Sequence, residues 1–329
     1  MRLLIIAHLL AALGAAPAWA APPPDPDAAP GQLVRLPDGR RLNFRCSGTG
    51  SPTVILESGF GADSLAWPRV RARLERKLRV CSYDRAGYGF SDPGPLPRDG
   101  AAIARDLDRG LRAARIRGPF VLVGHSAGAL YVRALYARRP GDVAGMVLVD
   151  PSVEHQDRRF AAAFGPGAGS TQPLRDRAAR CQAAAEQRQL PSTDPALERC
   201  APPADPKRSD AMNAARRSLE LRPATWRTQV SELDNLWTAT SDQLDASTYG
   251  DLPMIVLTAD GTYSAAPEQA REALSTLWFG LHRELARRSN AGVSRRINGS
   301  SHLMMRDKPD AVADAVLEIA AKAKMANTN

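Results

Sequence analysis

The chain reads as an α/β protein: a mostly parallel sheet with helices on both faces and a helical insertion late in the fold. Short β-branched or apolar runs alternate with stretches whose apolar residues recur every three or four positions, the pattern of strands joined by crossover helices. One run, Val121-Leu122-Val123, breaks abruptly into Gly124-His125-Ser126-Ala127-Gly128 before a helical pattern takes over. The alternation then stops from Ser152 to about Gly250 and resumes at Pro253.

Residues Met1 to Ala20 have the form of a secretory signal, with Arg2 as the charge, Leu3 to Leu13 as the apolar stretch and Ala18-Trp19-Ala20 as the cleavage site. That stretch is too short to span a bilayer, and no cysteine near Ala20 offers a lipid attachment point. An exported protein, periplasmic or secreted, without a stable membrane anchor is expected. Residues 21–31 read as a flexible leader rich in Pro, Ala and Asp.

From Gln32 to Cys46 two extended runs flank Pro37-Asp38-Gly39, a turn joining antiparallel strands. Thr53 to Leu56 is a short strand ending in Glu57-Ser58-Gly59-Phe60-Gly61, where glycines let backbone approach a ligand. The basic run Arg69 to Arg79 carries Val70, Leu74 and Leu78 at a spacing of four, which predicts a helix with a buried stripe and a solvated face. Val80 to Tyr83 is the next strand, and Ile103, Leu107 and Leu111 mark the helix that leads to the strand from Phe120. Ala144 to Val149 and Pro253 to Thr258 are further strands, the first ending at Asp150-Pro151. A helix around Trp278 to Arg288, a strand near Val293 to Ile297 and a helix from Pro309 that buries Val312, Val316 and Ile319 close the fold.

The 329 residues suit one large core with an insertion, the core over 32–150 and 251–325 and a helical cap over 151–250. A formal charge of +9 invites nucleic-acid binding. The arginines are instead interleaved with Asp and Glu, and no aromatic-basic platform accompanies them, so no nucleic-acid partner is expected. Cys46, Cys81, Cys181 and Cys200 have neither the spacing nor the histidines of a zinc site. In an exported chain they are disulfide candidates.

A Gly-x-Ser-x-Gly between strand and helix lifts the serine hydroxyl above the sheet edge on a sharp turn. Ser126 is the candidate nucleophile, and the backbone N–H groups of Ala127 and Phe60 are candidate oxyanion donors. A serine hydroxyl needs an adjacent base held by a carboxylate. His125 lies inside the turn, His155 opens the insertion, and His282 shares a helix with Trp278, Leu281 and Leu285. His302, in Gly299-Ser300-Ser301-His302 after the last strand, is the candidate base. For the acid, Asp150 and Asp260 both stand at strand ends.

These motifs together resemble the α/β-hydrolase family, cap-containing members of the esterase kind, over about Gln32 to Lys324. The resemblance rests on Glu57-Ser58-Gly59-Phe60-Gly61, Asp84-Arg85-Ala86-Gly87-Tyr88-Gly89-Phe90-Ser91, the Ser126 turn, Val149-Asp150-Pro151-Ser152 and the His302 loop, in the family's order. It implies an eight-stranded, mostly parallel sheet and a serine hydrolase that cleaves a small-molecule ester without metal or organic cofactor. The positions that the family uses for the acid imply Asp150, with Asp260 as the alternative. Amide hydrolysis, acyl transfer and non-catalytic ligand binding stay open on the same framework. The family usually has His-Gly where this chain has Ser58-Gly59. Its topology makes the second and fourth strands neighbours, which implies a Cys46–Cys81 bridge and leaves Cys181 to pair with Cys200 inside the cap.

Overall fold

The computed structural model describes residues 25–201, 203–244 and 247–326, so the expected signal segment lies outside the described residues. Eight strands form one sheet in the order β1-β2-β4-β3-β5-β6-β7-β8. They are β1 (Gln32–Arg35), β2 (Arg41–Ser47), β3 (Thr53–Glu57), β4 (Val80–Tyr83), β5 (Phe120–His125), β6 (Val143–Val149), β7 (Met254–Ala259) and β8 (Gly292–Ile297). β2 runs antiparallel to β1 and β4, and every other neighbouring pair is parallel.

In the central strands, successive side chains enter opposite cores, as the period of two requires. Val54, Leu56, Val121, Val123, Val147, Val149, Ile255 and Leu257 pack on one face with α1 (Pro68–Leu74) and α11 (Pro309–Ala326). Ile55, Leu122, Met146, Leu148 and Val256 face the other side, with α2 (Gly100–Ala113), α3 (Gly128–Arg138) and, after the insertion, the long helix Glu268–Ala286. Burial on both faces explains why these strands read as apolar runs without alternation.

Between β6 and β7 the chain forms α4 (Gln156–Phe164), α5 (Gln172–Glu186), α6 (Asp210–Glu220), α7 (Pro223–Leu236) and α8 (Ala239–Asp242). After β7 come α9 (Glu268–Ala286) and, past β8, α10 (Met304–Asp307) ahead of α11. Cys46 faces Cys81 across the β2/β4 ladder and is bonded to it, while Cys181 on α5 is bonded to Cys200. No helix among the described residues is long and apolar enough to cross a membrane.

Two expectations differ from the structure. The helix expected over Arg69–Arg79 ends at Leu74, and tight turns bring Leu78 to the core, with the Leu78 N–H donating to Leu74 O at 3.0 Å. The expected flexible leader is tied down from Asp25 onward. Arg45 donates to Pro26 O at 3.2 Å, the Gly31 N–H to Asn43 Oδ1 at 2.7 Å, and Ser209 Oγ to Asp25 Oδ2 at 2.5 Å. Such polar anchors leave no trace in composition.

Candidate active site

Ser126 stands between β5 and α3 at a φ of 52°, a left-handed conformation that a residue with a side chain holds only when its surroundings enforce it. The enforcement is visible on both sides. Its N–H donates to Val149 O at 3.1 Å, and its carbonyl accepts from Ala129 N and Ser152 N, each at 3.0 Å. A Cβ on Gly124 would come within 2.7 Å of Ala129 Cα, and one on Gly128 within 2.6 Å of Ser58 O. The two glycines of the motif are thus required by packing between β5, α3 and the loop after β3.

His302 lies over this turn in the loop after β8. Its Nδ1 donates to Asp150 Oδ2 at 2.7 Å, and its side chain remains 38% exposed while the Asp150 side chain is fully buried. Asp150 is held from every side. Oδ1 accepts from Ala259 N at 3.0 Å and Trp278 Nε1 at 2.9 Å, and Oδ2 also accepts from Thr262 Oγ1 at 2.5 Å. Burial alone pushes the Asp150 carboxyl up, but the hydrogen bond from His302, the charge interactions with His282 and His302 and the bond from Thr262 together outweigh it and hold the group below its usual range. Asp260, the alternative acid, is not brought to His302. It accepts from Gly299 N at 3.0 Å and Ser300 N at 3.2 Å and so shapes the loop that carries the histidine.

The loop after β3 covers the other side of Ser126. A Cβ on Gly59 would lie 2.8 Å from His125 Nδ1 and 3.1 Å from Ser126 Cβ, so only glycine allows this approach. Among the described residues no acceptor takes the Phe60 N–H or the Ala127 N–H, and both residues line the space in front of Ser126. Ser58, where the family usually has histidine, donates to Asp63 O at 2.7 Å and accepts from Trp67 Nε1 at 2.9 Å, pinning the loop to α1.

Several further residues at this site carried no functional expectation from the sequence. Arg85 is buried and donates to Ser58 O at 2.7 Å, Gly59 O at 3.0 Å, Glu57 Oε1 at 2.7 Å and Glu232 Oε1 at 3.0 Å. Tyr88 adds a bond to Glu232 at 2.9 Å, and Tyr83 one to Glu57. Burial pushes the Glu57 carboxyl up to about 6, with Arg85 and Tyr83 restraining the rise. His125 donates from Nε2 to His302 O at 2.8 Å, and burial holds it neutral, with a pKa lowered to about 3. His282 donates from Nε2 to Pro151 O and accepts from Thr258 Oγ1, at 2.8 and 2.7 Å, and burial lowers it to about 4. His155 sits at the start of α4, 3.7 Å from Asp242, away from the His302–Asp150 pair. The motif Asp84-Arg85 was visible in the sequence; that Arg85 reaches Glu232, 147 positions away, was not.

The arrangement offers a part-exposed serine on a forced turn, a part-exposed imidazole on a buried carboxylate, and backbone donors lining the same space. Residues 54–315 match the family described as "Alpha/beta hydrolase family". The putative carbamate hydrolase RutD of Klebsiella pneumoniae (strain 342) is 42% identical over 103 residues, 31% of this chain and 38% of that protein. Matches to the curated relatives span less than half of their length. A thermophilic esterase from Thermogutta terrifontis superposes with a TM-score of 0.56 over 90% of this chain and 99% of that one, at 21% identity. A putative epoxide hydrolase from Pseudomonas aeruginosa gives 0.59 over 87% and 94%, at 24% identity. At such identities the superpositions speak for the fold, and the family match covers most of the sequence: the chain belongs to the alpha/beta hydrolase family.

Proposed function

We propose that the protein is an exported serine hydrolase that cleaves a small carboxylic ester through an acyl-enzyme. Ser126 Oγ attacks the ester carbonyl as His302 Nε2 takes its proton, and the Phe60 and Ala127 N–H groups hold the oxyanion. The bond to the alkoxy oxygen then breaks, and His302 returns the proton to the departing alcohol. Water, deprotonated by His302, attacks the acyl-enzyme and releases the acid and the serine. Asp150 keeps His302 in the tautomer with its proton on Nδ1 and stabilises the imidazolium. Asp260 acts only on the loop. The helices of residues 151–250 form a cap over this space, and the disulfide pairs together with the signal-like segment Met1 to Ala20 support export.

The single observation that carries the reading is the 2.7 Å bond from His302 Nδ1 to buried Asp150, in a loop packed over the forced turn of Ser126. An aspartate nucleophile is disfavoured because serine occupies the turn. The reading is tested with a fluorophosphonate probe and peptide mapping beside turnover of p-nitrophenyl esters, with an amide and a carbamate as comparison substrates. Labelling at Ser126, lost in Ser126→Ala, is expected. Folded protein that neither labels nor turns over any ester contradicts it.

A further inference from the structure

Two clefts that differ in charge meet at Ser126. Phe60, Ser126 and His302 line both. One, about 300 Å³, is walled by Leu174, Leu233, Leu236, Trp237, Tyr263 and Trp278. The other, about 490 Å³, is walled by Arg69, Arg208, Arg216 and Arg306, with Asp63 as its single carboxylate. Asp63 is already taken by Arg216 at 2.9 Å. Arg208 reaches Asp205 at 3.4 Å, outside the cleft lining. Arg69 donates to the Arg306 backbone O at 2.8 Å, which ties the Arg69 side chain to the segment carrying Arg306 without supplying a counter-charge.

The excess of positive charge continues outward. An adjoining space of about 220 Å³ shares Gly61, Asp63 and Arg216 with this cleft and adds Arg177 and Arg199, with Glu220 as its further carboxylate. Arg177 Nε is buried there with no hydrogen-bond partner among the described residues. A cleft lined by one sign of charge focuses its field and raises the local concentration of the opposite sign. Part of the net charge of +9, which in the sequence looked like ordinary solvated helix surface, is thus gathered beside the candidate nucleophile.

We propose that this arm receives an anionic group, so that the preferred substrate is an ester bearing a carboxylate or comparable anion on one side of the scissile bond and an apolar group on the other. The proposal deepens the ester reading above and rests on it. The apolar arm accepts the hydrophobic half by burial of its surface. The arginine arm discriminates by charge against neutral and cationic groups. The arginines are part exposed, 28% for Arg216 and 39% for Arg208, so the preference is moderate and weakens with salt.

Two matched pairs test it. 4-Nitrophenyl hemisuccinate against 4-nitrophenyl butyrate places the anion on the acyl side, and 4-butyryloxybenzoate against phenyl butyrate places it on the alcohol side. The anionic member of at least one pair is expected to have the higher kcat/KM by about fivefold to tenfold at low salt, the size of one or two part-exposed ion pairs. That ratio is expected to collapse toward one in Arg208→Gln/Arg306→Gln and to persist in Arg208→Lys/Arg306→Lys. Binding of 4-butyramidobenzoate against butyranilide to Ser126→Ala, followed by calorimetry, reads the same preference without turnover. Neutral esters cleaved as well as both anionic ones, or a preference untouched by the double Gln change, overturns the arginine arm and leaves the ester reading standing. Absence of all turnover with anion-selective binding intact overturns the ester reading and leaves the arm as a ligand site.

Discussion

On one flank of Ser126, the Asp150–His302 pair keeps its imidazole 38% exposed, whereas on the other flank Arg85 is sealed between Glu57 and Glu232 with side-chain exposures of 1%, 0% and 1%. The difference follows from what each flank does with charge. A base that takes a proton from the serine and returns it to a leaving group needs a carboxylate fixed behind it and space in front. The loop that offers backbone donors needs no moving charge. There the Ser58 and Gly59 carbonyls are consumed by Arg85, and Phe60, next in the chain, keeps its N–H free of any described acceptor. Glu232 lies on α7, so the same cation ties the insertion to the loop beside Ser126.

The largest expected effect breaks the flank that carries His302. Ser126→Ala and His302→Ala should each lower kcat for a p-nitrophenyl ester by about 10⁴-fold or more with the fold intact by circular dichroism. The fixed flank should respond in stability first. Arg85→Met leaves Glu57 and Glu232 buried without their cation, which costs about 3–5 kcal/mol; urea unfolding measures it. Arg85→Lys keeps the charge but loses the forked bonds to Ser58 O and Gly59 O, so its folded fraction should show a lower kcat with little change in KM. A parallel change in both would instead assign Arg85 to structure alone.

The insertion depends on its own bridge. Opening Cys181–Cys200, which closes a loop of 19 positions, should cost about 3 kcal/mol in the cap. Proteolysis between α5 and α6 with and without reductant reads it. Free thiols at both positions in folded, exported protein would remove the premise.

Per pH unit, the smallest effect is a slope. His282 in the folded chain is lowered from 6.5 to about 4, so below pH 6.5 the unfolded chain takes up a proton that the folded chain refuses until about pH 4. Stability therefore falls as pH drops through that window, by about 1.4 kcal/mol per pH unit for this group. His125, lowered to about 3, acts in the same sense, while Glu57, raised from 4.5 to about 6, acts in the opposite one. His282→Gln should remove one proton's worth of slope between pH 6.5 and 4, measured by urea unfolding across pH. An unchanged slope would show that His282 titrates normally in the folded state.

The flank that carries His302 was largely legible in the sequence, because a strand-turn-helix context singles out Ser126 as a candidate and a Gly/Ser loop after the last strand singles out His302. Choosing between Asp150 and Asp260 was not, since both end neighbouring strands and only the side-chain directions separate them. The fixed flank was half legible. Glu57 and Arg85 stood in recognisable motifs, but Glu232 sits in a helix of ordinary composition and joins them only through a contact across the fold. His282 read as a packing residue from its apolar neighbours; its bonds to Pro151 O and Thr258 became visible only once α9 lay on β7. The arginine cleft was hidden for the same reason, since Arg69, Arg208, Arg216 and Arg306 come from separate segments.

The central claim is that His302 is served by Asp150 while Asp260 serves only the loop, and one paired measurement tests it. Asp150→Asn keeps the shape and removes the charge, so kcat should fall by about 10⁴-fold. Asp260→Asn keeps one of the two oxygens that accept from Gly299 N and Ser300 N, so one loop bond survives and it should lose less than about tenfold. Both are read on a p-nitrophenyl ester with folded protein, beside the rate of fluorophosphonate labelling at Ser126. An inactive Asp260→Asn with an active Asp150→Asn would contradict the account.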